Sequence, residues 1–201
     1  MKRFLPFLLA LSVSLSVPLS WVQAQTGLEH RYELRPDPNW PLDIELGSGD
    51  YQIVASDSGS LAVVYEEGQP EDMQKVKVQI GSGHGQNQLK IAGPKSSFHA
   101  VIEVPRKTDL HIRMMSGDLH VGEVEGNKDI EVRAGTLELN AIRPQDYAKA
   151  DFSVRIGDVN APVYKAAKSG LLRSFKAYGP GKYQLHAHVE VGDLTLRTDT
   201  I

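Results

Sequence analysis

Apolar and polar residues alternate with a period of two along most of this chain. Val76, Val78 and Ile80 oppose Lys75, Lys77 and Gln79, and Leu110, Ile112 and Met114 oppose His111 and Arg113. The same alternation returns at Ile130 and Val132 against Glu131 and Arg133, and at Phe152, Val154 and Ile156 against Ser153 and Arg155. Near the end, Tyr183, Leu185, Ala187, Val189 and Val191 oppose Gln184, His186, His188 and Glu190. Period two sends successive side chains to opposite faces of a strand, one dry and one wet. Helical spacing is nearly absent. The chain reads as all-β.

A Gly-Asp dipeptide punctuates these strands at Gly49-Asp50, Gly117-Asp118, Gly157-Asp158 and Gly192-Asp193, with Gly135-Thr136 as a degenerate copy. Glycines 117, 135 and 157 lie 18 and 22 residues apart. A repeat of that length suits a coil of two short strands and two turns, so the spacing predicts a single-stranded β-solenoid or β-roll of stacked coils of about 20 residues. Glycine tolerates positive φ, and the aspartate can bond amides just beyond it, so each dipeptide should make a sharp corner capped by its own carboxylate. Such corners would align in a column. Ile44 and Leu46 place the start of the pattern near residue 42, after an extended lead-in over 25–41 that carries Pro36, Pro38 and Pro41.

Two segments interrupt the rhythm. Residues 81–87, Gly-Ser-Gly-His-Gly-Gln-Asn, read as a flexible loop at a hairpin tip. Residues 162–181 mix Lys165, Lys168, Arg173 and Lys176 with Leu171, Leu172, Phe175 and Tyr178, and read as a short amphipathic helix or a protruding loop. The last strand, Leu194–Thr198, runs almost to the final residue, which predicts an open strand edge and end-to-end self-association.

Composition changes the picture at the N-terminus. Lys2 and Arg3 precede an apolar stretch from Phe4 to Leu19, and Val22-Gln23-Ala24 offers small residues at the two positions that a signal peptidase reads. Residues 1–24 therefore read as a cleaved signal peptide, followed by no further run long enough to span a bilayer. The chain has no cysteine, hence no lipoprotein acylation site and no disulfide. Cleavage leaves 20 basic against 25 acidic residues, a mildly acidic balance without any basic arm, which argues against nucleic acid. The expected address is the periplasm or cell surface of a bacterium.

Candidate chemistry is sparse. Stacked Asp50, Asp118, Asp158 and Asp193 could in principle gather Ca²⁺, but the strict tandem nonapeptides of repeat-toxin calcium sites are missing. His186 and His188 share one strand face with Glu190, the residue types that hold Zn²⁺ or Cu²⁺, but no further ligand follows from the sequence. The reading is therefore no cofactor and no assigned metal, with those three residues as the metal candidates. No nucleophile elbow, thiol or phosphate-binding loop occurs, so no enzyme is expected. Arg113, His120, Glu131, Arg133, Glu138 and Arg155 fall on the wet face, which suits multivalent contact with an envelope protein or polysaccharide.

The stretch Ala100-Val-Ile-Glu-Val-Pro105, followed by Leu110 to Val121 with its Ser116-Gly117-Asp118 corner, resembles the bacterial "putative adhesin" domain family, a domain of unknown function. In that family a Val-Pro strand leads into serial Ser-Gly-Asp coils. Residues 122–126 and 130–139 continue the pattern, and the resemblance spans roughly residues 42–201. It implies an exported, envelope-associated β-solenoid without catalytic residues. The expectation is thus a non-catalytic adhesin-like module; the alternative is a carbohydrate- or metal-binding periplasmic protein.

Overall fold

A computed structural model describes residues 29–66, 76–93 and 98–197; the expected signal segment 1–24 lies outside them. The described residues form eleven strands and no α-helix, with single-turn 3-10 helices at Pro144–Asp146 and Pro162–Tyr164. The strands are β1 (Glu29–Leu34), β2 (Leu42–Ser56), β3 (Leu61–Glu66), β4 (Lys77–Gly83), β5 (Gln86–Ala92) and β6 (His99–Pro105). They continue with β7 (Leu110–Val121), β8 (Lys128–Leu139), β9 (Tyr147–Ala161), β10 (Ala166–Tyr178) and β11 (Tyr183–Leu196). All belong to one open sheet of mixed orientation, ordered β1-β3-β6-β2-β7-β8-β11-β9-β10, with β5 also on β2 and β4 on β5.

The long strands share one internal design. In β7, Leu110, Ile112 and Met114 are buried; the phase then shifts by one at Ser116–Asp118, and Leu119 and Val121 are buried. Bending there keeps the same side of the chain dry on both limbs. β2, β8, β11 and β9 repeat the design, and their parallel register stacks Ile44, Ile112, Ile130, Ala187 and Phe152 in one core row. Tyr51, Leu119, Leu137, Leu194 and Val159 make another. Each fully buried side chain of this size stabilises the fold by about 1.5–3 kcal/mol.

The corners do align. Gly49, Gly117, Gly135, Gly192 and Gly157 stack in that order, and from Gly117 onward their φ values run from +110° to +136°. A Cβ on Gly117 would lie 1.9 Å from the carbonyl oxygen of Gly49. The same 1.9 Å separates Gly135 from Gly117, Gly192 from Gly135, and Gly157 from Gly192. Each missing side chain is the space occupied by the next carbonyl.

Several expectations need correction. The glycine order above shows that the layers do not follow the chain, because β11 sits between β8 and β9. Segment 162–181 is mostly strand rather than an amphipathic helix or protruding loop: after the 3-10 turn at Pro162–Tyr164, β10 folds back antiparallel on β9 through Lys165 (φ +55°). That hairpin takes one edge of β9, so β11 inserts on the other. With neighbours on both sides, β11 offers no open edge for end-to-end association. The loop expected over 81–87 shrinks to a two-residue turn, because His84 and Gly85 both take positive φ and let β4 and β5 pair up to Gly83 and Gln86. The lead-in contains β1, paired antiparallel with β3.

Candidate interaction surface

Parallel register converts the outward alternation into rows that run across the strands. One row reads Asp43, His111, Asp129, His186, Asp151 and then Lys176, acid and base in turn. His111 Nδ1 lies 3.0 Å from Asp43 Oδ1, and Lys176 Nζ lies 3.2 Å from Asp151 Oδ2. A second row reads Lys90, Glu45, Arg113, Glu131, His188 and Ser153. Lys90 meets Glu45 at 2.6 Å and Arg113 meets Glu131 at 3.5 Å. Beyond it, Glu190 bridges Arg155 at 2.7 Å and Arg133 at 3.9 Å. On the other limb Glu138 holds Arg197 at 2.5 Å and His120 at 3.5 Å.

The structure thus gathers Arg113, Glu131, Arg133 and Arg155 on one face and His120 with Glu138 past the corner. Opposite charges on neighbouring strands are favourable, but exposed pairs contribute only about 0.2–1 kcal/mol each. Their larger consequence is a rigid pattern of charge. A trough of about 640 Å³ opens beside the second row, lined by Lys90, Arg113, Glu131, Arg133 and Glu190 together with Met115.

Two of the three metal candidates are otherwise engaged. His188 Nδ1 sits 2.8 Å from Ser153 Oγ, Glu190 is committed to two arginines, and His186 is an exposed member of the first row. Among the described residues, no three His, Asp or Glu side chains converge closely enough to hold a metal ion. Ser153 on β9 and His188 on β11 are direct cross-strand neighbours. Two of the corner aspartates reach a neighbouring strand: Asp193 Oδ1 accepts from the Asp158 N–H at 3.0 Å, and Asp50 Oδ2 lies 3.2 Å from His99 Nδ1.

One site was not singled out from the sequence. Lys128 is 2% exposed, and its Nζ donates to the Val124 carbonyl and, at 2.8 Å, to the Tyr147 hydroxyl. Burial pushes its ammonium down to about 8, opposed by Asp109, Asp146 and Glu125. The signal was present: Lys128 occupies the inward phase of Ile130 and Val132.

No protein family matches this sequence, and no curated protein is similar to it. Solved structures do share its shape. A Clostridium sporogenes chain described as a "putative cell adhesion protein" superposes with a TM-score of 0.56 at 13% identity, covering 85% of this chain and 99% of that one. A "putative adhesin" from Parabacteroides distasonis gives a TM-score of 0.27 at 9% identity, over 85% of this chain and 71% of that one. At such identity the first likeness shows a common all-β fold. Among the described residues, no helix is long and apolar enough to cross a membrane.

Proposed function

We propose that this protein is a non-catalytic, exported module of the bacterial cell envelope that makes adhesin-like contacts with an envelope protein or polysaccharide. One observation carries the reading: the alternating acid–base rows, held on a stiff sheet around the 640 Å³ trough. Rows of fixed charge favour many weak contacts with a charged polymer over one deep ligand site. The finer fold we infer is a β-solenoid or β-roll, supported by the glycine file and by the short links between layers, 122–127 and 140–146. Self-association belongs to the same reading, through the exposed face of β10 rather than through β11.

Beads carrying residues 25–201 test the role. They should adhere to cells of the source bacterium, release as salt rises, and lose retention when Arg113, Arg133 and Arg155 are all changed to Glu. Retention indifferent to both salt and charge reversal would overturn the proposal. So would ester or glycan hydrolysis that disappears in Ser153→Ala. Export is checked by fusing residues 1–24 to alkaline phosphatase and assaying periplasmic activity.

A further inference from the structure

Trp40 stands in a turn that a buried side chain holds from behind. Asn87, 1% exposed, donates from Nδ2 to the carbonyls of Asp37 (2.9 Å) and Trp40 (3.1 Å) and accepts the Asp37 N–H at 3.0 Å. Ser82 Oγ also donates to Asn87 Oδ1. Asp37 in turn fixes Asn39, whose N–H and Nδ2 donate to Asp37 Oδ1 at 2.9 and 3.1 Å. Leaving a buried amide unpaired is costly, so this network resists rearrangement. Yet the aromatic it positions stays half exposed.

Tyr183, which lines the same cleft, opens β11; its ring lies beside Tyr147 and carries the Lys182 ammonium at 4.7 Å, and a second asparagine pins the residue after it. Asn127 Oδ1 accepts the Gln184 N–H at 2.8 Å, while Asn127 donates to both Asp109 oxygens at 2.8 and 3.0 Å. Along the same cleft, the links that join successive layers stack through backbone bonds. The Thr108 N–H donates to the Glu125 carbonyl (2.9 Å), and the Glu125 N–H donates to the Arg106 carbonyl (2.7 Å). The result is a preformed cleft of about 350 Å³ that Trp40, Asn39, Lys107, Asp109, Glu125 and Tyr183 help to line.

We propose that this cleft is a saccharide subsite, seating a pyranose ring against Trp40 and Tyr183. Aromatic faces suit the apolar C–H faces of a sugar ring. The Asn39 amide, the Glu125 carboxylate and the Lys107 ammonium supply donors and acceptors of both kinds around it, as hydroxyl groups require. A volume of 350 Å³ lies at the small end of ligand sites, roughly 300–1,000 Å³. The inference deepens the envelope-module reading by naming a partner class, and it uses residues outside the arginine rows.

Trp21 lies in the expected signal segment, so Trp40 is the one tryptophan of residues 25–201, and its fluorescence reports on the cleft. Chitotriose, cellotriose and maltotriose, each titrated to about 10 mM, serve as probes. At least one should shift Trp40 emission to the blue with saturation. Calorimetry should show binding weakened about tenfold or more in Trp40→Ala, about fivefold in Tyr183→Ala, and largely kept in Trp40→Phe. Circular dichroism and melting of each variant confirm folding. The arginine-reversed triple variant should bind the sugar fully, which separates this result from bead retention. If no trisaccharide moves the emission, if Trp40→Ala binds like the wild type, or if only a proline-rich peptide responds, the inference is wrong.

Discussion

At the scale of single residues, the glycine file and Lys128 carry the sharpest consequences. A methyl group on Gly117 would meet the Gly49 carbonyl at 1.9 Å with φ at +110°, so Gly117→Ala should cost about 3 kcal/mol or more. Gly83, with open space around its Cβ position, is the control, and Gly83→Ala should stay within about 0.5 kcal/mol by urea unfolding. Lys128 makes a pH prediction. Its folded pKa, about 8, lies below the 10.5 of an exposed lysine, so the unfolded chain binds more protons between those values and stability rises with pH. From about pH 7.5 to 9.5 the gain should be about 2 kcal/mol. Above about pH 10 Tyr51 and Tyr164, both pushed up to about 12 by burial, reverse the trend, because the unfolded chain loses their protons first. Lys128→Met should abolish the rise whatever its absolute stability; an unchanged slope would assign the effect elsewhere.

At the scale of elements, β10 tests how far packing extends beyond the repeat. Phe175 lies 6.3 Å from Phe152 and 5.8 Å from Tyr164, ring centre to ring centre, so Phe175→Ala should cost about 2 kcal/mol. Leu172 is 79% exposed and sits at φ +53°, a conformation that asparagine tolerates, so Leu172→Asn should cost nothing measurable. Equal urea midpoints for the two variants would mean that β10 is not packed as described. This strand also shows where the sequence stopped being legible. Period two revealed the long strands because one face of each is buried, and the Gly-Asp spacing revealed their corners. β10 hid because nearly all of it is exposed on both faces, so its antiparallel pairing with β9 leaves no dry side to impose an apolar–polar alternation on the sequence. The layer formed by β5 and β6 hid for a different reason. It pairs with both limbs of β2, but the sequence between its two strands holds no Gly-Asp dipeptide. The charged rows were legible as a wet face, whereas their alternation of acid and base depends on which strands are neighbours. Local pattern does not encode that order, and the insertion of β11 between β8 and β9 sets it.

At the scale of the whole molecule, strand order decides where one copy could meet another. Had the layers followed the chain, the last strand would have left an unpaired edge. Instead β10 lies at that end of the sheet, and its edge carries Lys168, Arg173 and Lys176, charges that discourage strand-to-strand addition. Its face is less protected. Register lines up Val191, Ile156 and Leu171 across three strands, 43%, 44% and 65% exposed, with Leu172 alongside. A contiguous apolar stripe beside cations is a surface that association would cover. Residues 25–201 should therefore form dimers at high micromolar concentration by light scattering, and Ile156→Lys with Leu171→Lys should return them to monomers without loss of melting temperature. Since the contact is apolar, added salt should not dissolve the dimer, whereas it should release the protein from cells if the charged rows make that attachment. A strictly monomeric wild type would remove self-association from the account, and a dimer that salt dissolves would place the contact on the charged rows instead of the stripe.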